Sequence, residues 1–378
     1  MRFYLLQIPY MASADELRRG LAGQPLPGAD PERFSTMLER MTAQVVHAEE
    51  VGFSGVCWTE QHFQAEGVEV NTNPVLYGAH MAAHTTTMTV GQLGIPLPCR
   101  NPLQVAEDLA VLDHMTGGRT FCGFSRSNTP RYASVLGQHV GVGAATSDKS
   151  AADERNRALL KECFQIIRRA WTEDCFSYDG DVWKVPPADV PWQFPPTLDS
   201  GRGTRDGVLT EISVVPKPKQ RPHPPLYSPF AFSMTTARFW AQEGVSLVSF
   251  VEDEEFLKTT KQVYAEEAAS VGRLVPAGGG LAVGGHLLVQ PTRSASEAYA
   301  ERFRDLFAYA YDVTPYHVPL GRQLTGTGDD ALRQLEHLQE ELGVEEVFLW
   351  HHANCFDPGA ELEAITEFGE KVIAKLGD

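Results

Sequence analysis

Short apolar runs alternate along the whole chain with longer segments whose apolar residues recur at helical spacing. That alternation is the pattern of parallel strands joined by helical crossovers. A first strand is expected at about 2–8, followed by a helix at about 31–51 that Gly52 closes. A second strand, about 54–59, runs into Glu60-Gln61-His62-Phe63. Asn73-Pro74 and Asn101-Pro102 each open a helix, because proline in a first turn lacks only an N–H that has no helical partner. Strands are expected at about 87–95 and 120–125, with Gly117-Gly118 stopping the helix between them. A glycine-rich loop leads into a helix at about 151–171, and 176–185, with Asp179-Gly180 as its turn, reads as a hairpin outside the main repeat. From 186 to 225 proline is dense and the periodicity lapses. Strands at about 226–230, 246–251, 280–290 and 346–350 then alternate with helices at about 233–243, 253–271, 294–311, 329–342 and 358–376. Eight strands in this order predict an α/β fold, a (β/α)8 TIM barrel with loop insertions. It is read as a single domain over 1–378, with an excursion at about 176–225. A doubly wound sheet would have fewer strands and usually a phosphate fingerprint in its first turn.

Composition narrows the function more than the fold. Of 378 residues 43% are hydrophobic, ordinary for a globular chain, and the net charge is −17 with no lysine or arginine run. Such a surface disfavours nucleic acid and anionic membrane, since neither phosphate neutralisation nor steering is available. The cysteines, Cys57, Cys99, Cys122, Cys163, Cys175 and Cys355, are scattered without a CxxC pair and read as reduced, mostly buried thiols. Arg2, an apolar run and Ala12-Ser13-Ala14 imitate a secretory signal, but the run is short and Gln7 and Pro9 interrupt it. A barrel strand and a cytoplasmic location are therefore expected. No stretch is long enough to span a bilayer. G-x-G-x-x-G after a strand, the P-loop, H-E-x-x-H and G-x-S-x-G are all missing, so no nicotinamide or nucleotide site of those kinds is expected.

In a barrel, chemistry gathers where strands end. The end of strand two offers Glu60 and His62, a carboxylate and an imidazole suited to acid–base work, or alternatively a polar strand end with structural hydrogen bonds. The end of strand four offers Ser125-Arg126-Ser127-Asn128; the planar fork of Arg126 suits a phosphate, although a rim ion pair is equally ordinary for arginine. Ser233-Met234-Thr235-Thr236 opens a helix, where free N–H groups and hydroxyls favour an anion, although serine is also a common N-cap. Arg126 with Ser233 and Thr236 would suit one phosphate monoester at the barrel mouth, such as that of FMN. His351-His352 and Tyr309, Tyr311 and Tyr316 are candidates to line or cover the mouth, with core packing as the alternative. No ligand set for a metal is legible.

Longer stretches then carry a resemblance. Asn101-Pro102-Leu103 through Glu107-Asp108-Leu109, Leu112-Asp113-His114-Met115 and Gly118-Arg119 resemble a signature of the bacterial-luciferase-like flavin-dependent monooxygenases. Thr59-Glu60-Gln61-His62-Phe63 resembles that family's acidic-His-His-Phe motif, and Phe232-Ser233-Met234-Thr235-Thr236 its phosphate helix. The likeness runs from about 1 to 136 and returns at about 226–244.

The resemblance implies reduced FMN and O2 oxidising a small organic substrate through a flavin 4a-peroxide, in a homodimer fed by a separate flavin reductase. Arg126, Ser233 and Thr236 would then hold the FMN phosphate, backbone near Ser127 and Asn128 would face the flavin, and Leu93-Gly94 would be a cis peptide beneath its ring. Glu60 and His62 would be catalytic. Gln61 stands where the family has the first histidine of its pair, so His62 alone is left for proton transfer. A deazaflavin-dependent oxidoreductase on the same barrel and a catalytically silent flavin-binding subunit are the alternatives.

Overall fold

Strand β1 (Arg2–Pro9) is buried at every position after Arg2, and strand β8 (Glu346–Ala353) at all of its positions. Burial on both faces is what parallel strands show when helices cover one side and a barrel interior fills the other. The structure, a computed structural model, describes residues 1–127, 129–312 and 318–377. Between β1 and β8 run β2 (Gly55–Trp58), β3 (Thr89–Gln92), β4 (Thr120–Ser125), β5 (Leu226–Ser228), β6 (Ser246–Ser249) and β7 (Leu281–Leu287). Each pairs with the next, β8 returns to β1 in register from Arg2↔Glu346 to Pro9↔Ala353, and β4 pairs with β5, which closes the barrel. The expected (β/α)8 barrel is therefore the observed fold.

The chain divides into two compact units. The first comprises Met1–Ile95, Phe121–Phe124 and Pro225–Asp378; the second comprises Pro96–Thr120 and Ser125–Pro224. In the first unit an aromatic layer fills the N-terminal end of the barrel. Tyr4 stacks on Phe348 at 4.5 Å, Phe121 meets Tyr4 and Tyr227 meets Phe348 edge-on at 5.4 Å, and Phe121 meets Tyr227 edge-on at 5.3 Å. Below them Glu346 accepts from the Tyr227 hydroxyl at 2.8 Å and pairs with Arg2 at 2.8 Å, so the buried carboxylate has a counter-charge. Beyond β8, Glu361 accepts from the Asn354 N–H, the Phe356 N–H and the Gln44 amide at 2.8–2.9 Å, pinning the loop that leaves the strand. Burial outweighs these donors and pushes its carboxyl up to about 7.

The second unit contains the helices Pro102–Met115, Pro130–Leu136 and Ala151–Thr172 and the proline-rich excursion. Lys217 Nζ donates to Ala170 O (2.7 Å) and Glu173 O (2.6 Å), satisfying carbonyls at the end of the long helix. Asp113 accepts from the Gln220 backbone N–H at 2.8 Å and from its side-chain amide at 2.7 Å, which ties the return leg down. The excursion also holds a short helix, Pro195–Ser200, and Thr204–Arg205 pairs antiparallel with Val208–Leu209.

Four details differ from the expectation. The hairpin pairs only Tyr178–Asp179 with Lys184–Val185, so its turn is 180–183 rather than Asp179-Gly180. The cause is Glu162, which accepts from the Val182 and Trp183 N–H groups at 3.1 and 2.6 Å and would clash with any Cβ at Gly180. A helix absent from the expectation, Ala14–Arg19, follows β1, opened by a capping box between Ser13 and Glu16. The last strand runs to Ala353, so His351 and His352 lie within it. The terminal helix gives way to a π-helical turn at Gly369–Ile373, where Gly369 passes close to Val51.

Candidate active site

The first unit supplies three of the expected pieces at the C-terminal ends of its strands. After β2 the chain brings Glu60 and His62 together, with Glu60 Oε1 2.9 Å from His62 Nε2. The Glu60 side chain is 1% exposed and that of His62 15%, so the imidazole is the member of the pair that reaches outward. Asn71 holds this turn by donating to Thr59 O at 2.8 Å, while its own carbonyl accepts from the Gln61 N–H at 3.1 Å. Phe63 takes φ 63, a left-handed conformation uncommon outside glycine, as the chain leaves the strand end.

After β3 the Leu93-Gly94 peptide is cis, as the resemblance implied. A Cβ on Gly94 would lie 2.7–2.8 Å from the backbone of Gly123 and Phe124, and one on Gly123 would lie 2.2 Å from Gln92 O. Backbone approach between β3 and β4 therefore requires both glycines, whatever binds above them. After β5 Ser233 is the N-cap of the helix Met234–Glu243, its Oγ accepting from the Thr236 N–H at 3.3 Å and donating to Thr236 Oγ1 at 2.9 Å. Ser233 and Thr236 are thus brought together at one helix N-terminus.

Arg126 and Ser127 belong to the second unit. Arg126 donates to Asp153 Oδ1 at 2.9 Å and to Ser147 Oγ at 3.2 Å, and Arg157 approaches the same carboxylate at 3.4 Å. Burial, with Arg157 nearby, lowers the Arg126 pKa. Burial alone would raise Asp153, but the Ser147 N–H and the two arginines outweigh it and hold it below its usual value. Two guanidinium groups share this carboxylate, and Arg157 also pairs with Glu154 at 3.7 Å. Next to Arg126, Ser127 has φ 63 and a buried hydroxyl with no hydrogen-bond partner among the described residues. Asn128 lies outside the described residues.

Other polar residues of the first unit gather at the same end of the barrel. His352 is in the interior, 3.4 Å by Nε2 from His286 Nδ1, with Trp350 and Phe303 against it. His351, one residue earlier, points to the opposite face, as strand alternation requires. It is fully buried without a hydrogen-bond partner among the described residues, and burial lowers its pKa to about 4. Tyr311 packs in the core cluster and Tyr309 is exposed; Tyr316 lies outside the described residues. Sequence reading missed Tyr10, Glu69 and His286. His286 sits inside an apolar run, and only its inward register distinguishes it. All six cysteines are free, five of them buried. Among the described residues no cluster of metal-ligating side chains occurs and no helix is long and apolar enough to cross a membrane.

Comparison with known proteins agrees with this layout. The profile of a family described as luciferase-like monooxygenase matches residues 21–342. An uncharacterised protein of Sinorhizobium fredii is 23% identical over 73% of this chain and 70% of its own length. An alkanal monooxygenase alpha chain of Photorhabdus luminescens is 25% identical over 64% of this chain, which spans 57% of that relative. Among solved structures, a monooxygenase of Streptomyces bottropensis aligns with TM-score 0.70 and 19% identity, covering 99% of both chains. The oxygenating constituent of 3,6-diketocamphane monooxygenase from Pseudomonas putida, in complex with FMN, aligns with TM-score 0.70 and 18% identity, again over 99% of both. An F420-dependent secondary alcohol dehydrogenase aligns with TM-score 0.62 and 16% identity, covering 90% of this chain and 96% of that one.

Proposed function

Because the chain belongs to the luciferase-like monooxygenase family, we propose that it uses reduced FMN and O2 to oxygenate a small organic substrate, with its flavin reduced by a separate protein. The observation that carries the reading is the buried Ser127 hydroxyl, without a hydrogen-bond partner among the described residues, beside the Arg126–Asp153–Arg157 cluster. A buried donor without a partner is costly, and an anionic oxygen would satisfy it. The donor chemistry present in each unit suits a flavin phosphate. Arg126 would meet its charge, Ser233 and Thr236 would donate at a helix N-terminus, and backbone at Ser127 and Asn128 would approach the ring system. Leu93-Gly94 would lie beneath that ring. In this reading the whole 1–378 chain works as one catalytic domain in a cytoplasmic homodimer.

When bound, reduced flavin supplies the electrons that activate O2. The chain's own residues orient, exclude water and move protons. Glu60, held at 2.9 Å, fixes the orientation of the His62 ring, so that His62 can take or return one proton at the strand end. Gln61 cannot do this, because an amide does not titrate near neutral pH.

A hydride-transfer reaction with a deazaflavin is the second reading, favoured by the F420-dependent neighbour. A catalytically silent flavin-binding subunit is the third, suggested by Gln61. The deciding experiment mixes the protein with reduced FMN, O2 and a panel of small ketones, sulfur compounds and aromatic substrates, and follows O2 uptake and product mass. Product carrying one added oxygen atom is expected. In a parallel mixture of the protein with oxidised deazaflavin and small secondary alcohols, alcohol oxidation with formation of reduced deazaflavin, together with no oxygen incorporation in the FMN mixture, would replace the proposal with the second reading.

A further inference from the structure

Four aromatic rings of the first unit form a ladder that runs inward from the ends of β5 and β6 to β8. Phe232 is 42% exposed, Phe230 is half-buried, and Phe250 and Trp350 are buried. Phe230 stands in the middle. Its ring lies nearly parallel to that of Phe250, at 5.1 Å and 22°, and to that of Phe232, at 6.4 Å and 29°. Trp350 meets Phe230 edge-on at 5.8 Å and Phe250 edge-on at 5.7 Å, which closes the inner end. Phe230 also has φ 54, a left-handed conformation that costs a bulky residue energy and persists where the surroundings hold it. Phe63, at the exit of β2, is 46% exposed, but among the described residues it has only the tilted ring of His62 beside it.

The two ends of the ladder are held differently. Phe250 and Trp350 fix Phe230 from the inside, whereas Phe232, at the surface, can move outward without opening the core. A flat ring between Phe230 and Phe232 needs two layers of carbon contact, about 7 Å in all. The rings already stand 6.4 Å apart, so Phe232 has little to travel. An aromatic ring also gains from its positive edge and negative face, which settle in offset stacks on both phenylalanines. A saturated ring is puckered and carries hydrogens on both faces, so it is too thick for this space and has no π face to offer.

The buried end adds a polar requirement. Trp350 is 4% exposed, and its Nε1 has no hydrogen-bond partner among the described residues. An indole N–H can only donate, and a buried donor left without an acceptor is costly. A hydroxyl or carbonyl oxygen on the edge of a stacked ring that faces Trp350 would supply the acceptor.

We propose that Phe230 and Phe232 clasp a planar aromatic ring of the substrate, and that Trp350 donates to a hydroxyl or carbonyl oxygen carried by that ring. The substrate class is thus an oxygen-bearing aromatic compound. That the ring belongs to a substrate rests on the oxygenase reading; the ring site itself does not. In that reading the flavin ring lies elsewhere. Ser233, the neighbour of Phe232, takes its phosphate, and the ribityl chain carries the ring away to Leu93-Gly94.

Calorimetry on the flavin-free protein tests the site, with 2-naphthol, naphthalene and decahydro-2-naphthol as probes. 2-Naphthol should bind about tenfold more tightly than its saturated analogue, the worth of aromatic stacking. Phe232→Leu keeps the apolar bulk and should remove that preference; the residue is exposed, so the variant should fold. Trp350→Phe should remove the preference for 2-naphthol over naphthalene. Saturating oxidised FMN should leave 2-naphthol binding in place. Equal affinity for 2-naphthol and the saturated analogue, either preference surviving in its variant, or displacement of 2-naphthol by FMN would overturn the proposal. The first and last of these need only the wild-type chain. The two readings fail separately. A protein that binds 2-naphthol as expected but adds oxygen to no substrate would sink the oxygenase reading and leave the ring site standing. Oxygenation of aliphatic ketones without 2-naphthol binding would do the reverse.

Discussion

Arg126 illustrates how one side chain serves two needs. Its ion pair with Asp153 keeps a fully buried carboxylate neutralised, and the same guanidinium is the proposed anchor for phosphate. Arg126→Ala should weaken reduced-FMN binding by roughly 1.5–3 kcal/mol, as expected for a charged hydrogen bond, with Ser233→Ala and Thr236→Ala each costing less. Calorimetric titration checks this, and an unchanged affinity would remove the anchor. Asp153→Asn is the informative companion, since it releases Arg126 from its internal partner without deleting the cation. His351 offers a test that needs no ligand. Its pKa is lowered to about 4, so the folded state keeps the ring neutral while the unfolded chain protonates it below about 6.5. Stability from this group is therefore present above pH 6.5 and lost as pH falls toward 4. His351→Leu should remove that dependence, so its stability relative to wild type should rise by about 1.4 kcal/mol per pH unit across the window. Denaturant melts at pH 7 and pH 5 measure the difference, and a parallel pH response in the two proteins would mean that the ring is not held neutral.

At the scale of elements, helix starts were the easiest features to read and strand exits the hardest. Asn73, Asn101 and Ser233 each cap a helix because a short polar side chain can accept from a free N–H of the first turn. Ser13 does the same at Ala14–Arg19, but its setting among small residues after an apolar run imitates a cleavage signal instead. The exit of β8 is held by Glu361, seven residues beyond its donor Asn354 and five beyond Phe356, through contacts that no local pattern reveals. Glu361→Ala should leave three buried donors without an acceptor and lower stability by roughly 3 kcal/mol or more. Chemical denaturation gives the number, and a loss below about 1 kcal/mol, the worth of one ordinary hydrogen bond, would show that the carboxylate is not pinning the exit.

For the molecule as a whole, the proposed dependence on a separate reductase follows from the missing nicotinamide fingerprint. Protein mixed with FMN, NADH and substrate should neither consume NADH nor form product until a flavin reductase is added. Rapid NADH consumption by the chain alone would end the two-component reading. The proposed homodimer points to the helix Pro74–Ala82, where Leu76 is 65% exposed. An exposed leucine beside a half-buried apolar face suits a partner surface, so Leu76→Glu should convert a dimer to monomer in sedimentation. A wild-type monomer at micromolar concentration would contradict it.

How much of this was already written in the chain differs by scale. The strand–helix alternation specified the barrel, because burial on both faces and amphipathic crossovers leave a one-dimensional trace with a fixed period. The local site pieces were equally legible: Glu60 and His62 are two residues apart, and Ser233 and Thr236 share one helical turn. What was not legible are contacts between residues distant along the chain. Tyr10 meets Tyr311 and His352, and Gly94 meets Gly123, across separations that carry no periodic signal. Within β8, alternation predicts that His351 and His352 face opposite ways, but not which of them meets the interior. That was decided by closure of the barrel, since the register of β8 against β1 and β7 turns His352 inward to His286 and leaves His351 buried on the other face.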